Sequence, residues 1–124
     1  VKIVIETIAH ERQRYPTVGD WYYRRDPFSH EEVLHIRVST SGDWRTDALV
    51  ALHELVEVLL CKTAGVTQEA VDAFDKASVS DEPGDELDAP YRDQHCFAMA
   101  VERMVCAAMG YPWKEHEEKV DAIK

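Results

Sequence analysis

The chain has 124 residues, 45% of them hydrophobic and 31% charged, the balance of a globular domain long enough to build a core without disulfide staples. Its 24 acidic residues outnumber 14 basic ones, giving a formal charge of −10. That charge argues against electrostatic binding to nucleic acid or an anionic membrane surface, and leaves cationic or metal partners open.

One domain is expected over 1–124, β-rich over 1–41 and helical over 42–124. The opening run VKIVIE is too short, and too soon followed by charge, for a secretion signal. It suits a strand over 1–7, as do WYYRR over 21–25 and VLHIRVS over 33–39. In the last of these, Leu34, Ile36 and Val38 point one way while Val33, His35 and Arg37 point the other. Thr17-Val18-Gly19-Asp20 and Asp26-Pro27 mark the turns between strands. A small, mainly antiparallel sheet packed on three to four helices follows, an α+β class.

Helical patterning begins after Gly42. Asp43 or Thr46 serves as the cap of a first helix reaching about Lys62, with Gly65 beyond its end. Thr67 caps a second helix that ends near Ser78, and Val66 can pack on Val71. The acidic loop over 78–88 carries Asp81, Glu82, Asp85, Glu86 and Asp88. It reads as a solvated connector, with a lid or a second cation site through Asp81, Glu82 and Asp85 as the alternative. Asp88 before Ala89-Pro90 suggests the start of a third helix running to Met109, with Gly110 as its stop. A short amphipathic helix from Pro112 to about Ile123 shows Trp113, Val120 and Ile123 to the body. No segment reaches the roughly 18 continuous apolar residues of a membrane span. The cysteines Cys61, Cys96 and Cys106 lack CxxC spacing and read as reduced, buried thiols of a cytoplasmic protein.

The first helix carries the chemistry. On a wheel of 100° per residue, His53 and Glu57 stand one turn apart and share an arc with Thr46, Asp47, Val50, Glu54 and Cys61. The remaining arc is wholly aliphatic, so the helix is expected to be buried over most of its circumference, with one polar stripe. Two ligating side chains at i and i+4 present themselves to one metal ion, and the residue after the first can act as general base. The spacing His53-Glu54-Leu55-Val56-Glu57 is HExxE, the HExxH pattern with a carboxylate in the second ligand position, which zinc accepts. The third helix offers a matching stripe at His95 and Glu102, with Met99 and Cys106 beside it. The expected centre is a metal held by His53, Glu57 and His95, with Glu54 as the base on water. Glu102 is a fourth ligand or a partner orienting a ligating histidine. Asp88 or Tyr91 would polarise substrate or stabilise an oxyanion. Zinc is the expected ion, with manganese, iron or magnesium as alternatives, and a peptide or protein as substrate. The sequence leaves the oligomeric state open.

Over roughly residues 34–102 this arrangement resembles a minimal zincin-type metallopeptidase: a sheet, a helix bearing HExx(H/E), then a helix with the last ligand. That resemblance implies hydrolysis of peptide bonds at a zinc-activated water, and the chain departs from it at Glu57, where most zincins have histidine. The pieces LHELVE, DEPGD, DAPYRDQH and VER are also similar to uncharacterised proteins of phage and prophage genomes, a likeness that brings no activity with it. Two other functions fit the residues. One is a nucleotide hydrolase using Mg²⁺ or Mn²⁺ on Glu54, Glu57, Glu102 and the loop carboxylates. The other is a non-enzymatic acidic phage accessory protein that binds a host protein. A di-iron carboxylate site is disfavoured, since paired Glu-x-x-His motifs are missing.

Overall fold

The computed structural model describes residues 2–124 and runs β1 (Lys2–Ile8), β2 (Gly19–Arg25), β3 (Glu32–Ser39), α1 (Trp44–Ala64), α2 (Gln68–Ala77), α3 (Arg92–Ala108) and α4 (Trp113–Ile123). Single 3₁₀ turns occupy His10–Arg12 and Pro83–Asp85. This is the expected α+β class, a three-stranded sheet packed against four helices; Val1, included in the expected first strand, lies outside the described residues.

The sheet itself corrects one expectation. Its order is β1-β3-β2, with β2 antiparallel to β3 but β1 parallel to it, so the sheet is mixed. A turn closed by the Asp26 amide on the Glu31 carbonyl joins β2 to β3 as a hairpin. The segment between β1 and β2 makes no such hairpin and leaves the central place to β3. That strand is the most buried, and Leu34, Ile36 and Val38 are all buried on its helix side as the alternation predicts. Ile3 and Ile5, paired with Leu34 and Ile36, reach past the helices and are half exposed.

Helix α1 starts where Asp43 accepts the Arg45 amide, and it ends at Gly65, whose φ of 76° a side chain would resist. It packs on β2, β3 and α3. Its burial is the reverse of what its composition suggests. Thr46, His53, Glu54, Glu57 and Cys61, the polar stripe, face the interior with Leu49, Val50 and Val58. The opposite aliphatic arc is only partly covered, and Leu59 is 53% exposed. The stripe is therefore a built interior feature, since burying ionisable groups without partners is expensive.

Thr67 caps α2 by accepting the Ala70 amide, as expected. The third helix begins later than the Asp88 cue suggests. Two successive turns, Ala89 N to Glu86 O and Arg92 N to Ala89 O, carry the chain through Pro90, and α3 begins at Arg92. Pro disfavours helical geometry in the residue before it, which explains the delay. Among the described residues no helix is long and apolar enough to cross a membrane. The three cysteines are free thiols, with Cys61 and Cys106 buried and Cys96 half-buried rather than fully enclosed.

Candidate metal centre

Helices α1 and α3 face each other through their polar stripes. His53 Nε2 lies 3.2 Å from Glu57 Oε2 and 3.2 Å from His95 Nδ1, and the last two atoms are 3.1 Å apart. Tetrahedral zinc with bonds of 2.0–2.1 Å sets its ligand atoms about 3.3 Å apart, so this nearly equilateral triangle matches one face of such a site. All three side chains are buried.

Protons make the same point. Glu102 Oε1 lies 2.9 Å from His53 Nδ1, and an ionised carboxylate only accepts, so the proton belongs on Nδ1. In the neutral imidazole Nε2 then carries a bare lone pair aimed at a carboxylate oxygen and another imidazole nitrogen. Such a constellation holds together through a proton within it, on His53 Nε2 or on His95 Nδ1, or through a cation. Without an ion, burial would push the His53 pKa down. Hydrogen bonds to Glu102 and Glu57, with the charges of Glu54 and Glu57, outweigh it and raise the pKa well above the usual histidine value. Burial would likewise raise the pKa of Glu57, yet the hydrogen bonds from His53 and His95 take it down to about 2.

Two of the three ligand-type groups have an outer hydrogen-bond partner. Trp21 Nε1 donates to Glu57 Oε1 at 3.0 Å, which leaves Oε2 for the triangle. Glu102 turns Oε1 to His53 and Oε2 to His116 Nε2, so it stands behind the triangle rather than in it. Against the pull of burial, hydrogen bonds from His116 and His53 hold its carboxyl below the usual range. Asp85 Oδ1 sits 3.2 Å from His95 Nε2, off the line of a hydrogen bond, and that buried nitrogen has no hydrogen-bond partner among the described residues. Glu82 and Asp85 form a second cluster of ligand-type atoms with His95, but Glu82 is paired with Lys124 Nζ at 2.5 Å, and Asp81 is exposed.

Glu54 behaves differently. It is 9% exposed, forms no hydrogen bond or ion pair among the described residues, and lines the same cavity of ≈ 1030 Å³ as the triangle. Gly19 lies against it so closely that a Cβ there would fall within 3 Å of the Glu54 carboxyl. Burial, then the charge of Glu57, raises its pKa well above the carboxylate norm.

Of the two residues expected to polarise substrate, only Tyr91 lines the cavity. Asp88 is exposed on the turn before α3 and is not part of the cavity wall. Tyr91 is buried with its ring edge-on to His95, but its hydroxyl donates to Asp75. Asp75 also accepts from Tyr15 Oη, and burial raises its pKa to about 6. Cys61 is core, its thiol pushed up to about 12 by burial.

Sequence reasoning passed over Trp21, Asp75, Gly84 and His116. His116 left a signal: it sits at i+3 from Trp113 and i−4 from Val120, a polar residue on the apolar stripe of its helix. Comparison with protein families, with characterised proteins and with solved structures finds no match to this chain.

Proposed function

We propose that the protein is a small metal-dependent hydrolase of the zincin-like peptidase kind, with His53, Glu57 and His95 holding the ion and Glu54 acting as general base. One observation carries this: three ligand-type atoms, His53 Nε2, His95 Nδ1 and Glu57 Oε2, converge at tetrahedral-face spacing, while a carboxylate with no hydrogen bond among the described residues lines the same cavity. Two imidazole nitrogens and one carboxylate oxygen suit zinc, with iron or manganese next, better than magnesium, which weighs against the nucleotide hydrolase.

When bound, such an ion supplies Lewis acidity towards a water and a carbonyl oxygen. Trp21 and Glu102 fix the Glu57 and His53 donors, and Glu54 takes the proton of the attacking water. A pKa raised by burial above the carboxylate norm suits that transfer. A peptide or protein is the proposed substrate. Protein purified without chelator is expected to carry one transition metal per chain by elemental analysis, and to lose hydrolysis of a mixed peptide library on dialysis against EDTA. Failure to take up stoichiometric Zn²⁺ on titration sinks the proposal.

Metal uptake is also expected to release a proton. The raised His53 pKa stabilises the metal-free fold fully below the unfolded value of about 6.5, and this contribution fades as pH rises through the higher folded value. An ion must displace that proton, so zinc affinity should climb about tenfold per pH unit between pH 6 and 7. Glu57, ionised down to about pH 2, contributes no proton in this range. Calorimetry in buffers of different ionisation enthalpy measures the release; pH-independent affinity contradicts the assignment.

A further inference from the structure

His116 is the one buried residue of α4, 1% exposed, and neither ring nitrogen bonds to the backbone. Nε2 meets Glu102 Oε2, and Nδ1 lies 3.1 Å from Thr46 Oγ1, itself 2.8 Å from the Tyr111 hydroxyl. Thr46 is on α1 two turns before His53, on the same buried stripe. The chain His53–Glu102–His116–Thr46–Tyr111 thus runs unbroken from a ligand-type nitrogen to the segment that leads into α4.

We infer that His116 is a positioning residue of the metal centre, and that metal occupancy and docking of α4 are linked through Glu102. This rests on the metal-centre assignment above. Glu102 divides its two oxygens between two imidazoles, so each bond fixes the plane in which the other is made. With the His116 bond gone, Oε2 has no partner, the carboxylate can turn about its own axis, and the His53 ring loses its fixed orientation. Outer partners of this kind commonly matter about 10–100-fold in metal affinity. The rest of the α4 attachment is weak. Trp113, Val120 and Ile123 are only partly buried, and the Lys119–Asp43 and Lys124–Glu82 pairs are surface contacts of the kind that contribute little. A helix held at its centre by a polar link must feel the state of that link. Coupling of this kind is reciprocal: an ion that orders His53 and Glu102 also tightens α4.

The test uses the full chain, titrated with Zn²⁺ against a chromogenic chelator, with hydrogen exchange read in α4 and the absorption spectrum of the Co²⁺-loaded form as a second signature. His116→Phe is expected to weaken zinc roughly 10–100-fold and to shift the Co²⁺ spectrum, while His116→Gln, whose amide can still donate to Glu102, recovers most of the loss. Val120→Ala, which trims an apolar contact of α4 but leaves the helix docked and the His116–Glu102 bond in place, should stay within about twofold of wild type. In wild type, zinc should slow exchange across α4, and in His116→Phe it should not. Zinc affinity in His116→Phe within about twofold of wild type overturns the inference, as does an equal loss in Val120→Ala. Should His116→Phe fail to fold, wild-type exchange decides: α4 amides indifferent to zinc overturn the linkage. A wild type that binds no zinc is a different result, and takes the metal centre down with it.

Discussion

Replacing His53 with alanine is expected to empty the centre, and replacing Glu54 with glutamine to leave it filled but inert. Apparent binding energies of about 10–16 kcal/mol for a structural zinc, shared over four ligands, put one ligand at about 3 kcal/mol, or about 100-fold in affinity. His53→Ala also leaves Glu57 and Glu102 buried with one partner fewer each, so the metal-free fold should weaken as well. Glu54→Gln differs in kind. Among the described residues the side chain makes no hydrogen bond to lose, the replacement has the same shape, and a negative charge beside Glu57 is removed. Metal content should therefore persist while kcat falls about 10²–10⁴-fold, the span of a lost general base. Elemental analysis and peptide turnover on the same preparations measure both. Metal retained in His53→Ala, or turnover retained in Glu54→Gln, would falsify the division of roles.

Glu57 in the second ligand position has its own consequence. Compared with a histidine there, its carboxylate lowers the net charge of the assembled centre by one, and the anions Glu54 and Glu102 stand nearby. In the proposed centre Lewis acidity towards water would be correspondingly reduced, and Glu54 would carry more of the activation. Trp21 offsets part of this by drawing charge onto Oε1 through its indole N–H.

How much of this could be read from the chain depends on the range of each interaction. The ends of α1 were legible because capping is local: Asp43, the Arg45 amide and Gly65 lie within a turn of the boundaries they set. The two His/Glu stripes were legible because helical period is a property of sequence. That the stripes meet was legible as well, since each supplies partners for the other; what was not is that the aliphatic arc of α1, large enough to pass for core, is its less covered side. The parallel pairing of β1 with β3 has no local signature, since alternation reads the same in either direction. Trp21, 36 residues from Glu57, and His116, 14 from Glu102, act through contacts that only the assembled fold creates.

Two glycines are expected to separate metal binding from turnover. Gly84, in the Pro83–Asp85 turn, is buried against His95, and a Cβ there would fall within 3 Å of Cγ, Nδ1 and Cδ2 of the imidazole. Its φ is not positive, so close approach, not backbone conformation, explains the glycine. The ring cannot retreat cheaply, being seated on α3 with Tyr91 edge-on behind it. In Gly84→Ala either the turn lifts away or the ring tilts, and a tilt takes Nδ1 out of the triangle. Zinc affinity should fall about 10–100-fold, with a stability loss of about 1–3 kcal/mol typical of overpacking, while Asp81→Ala in the same loop changes neither. Gly19→Ala presses instead on the carboxyl end of Glu54, a side chain with no hydrogen bonds among the described residues to hold it. It can swing aside, so the metal should stay and turnover should drop. Chelator competition and peptide hydrolysis on the two variants decide the matter. If both lose metal equally, the cavity collapses as one unit and Glu54 is not an independent part of it; if only Gly84→Ala loses it, the binding triangle and the base are separately built on opposite walls of one site.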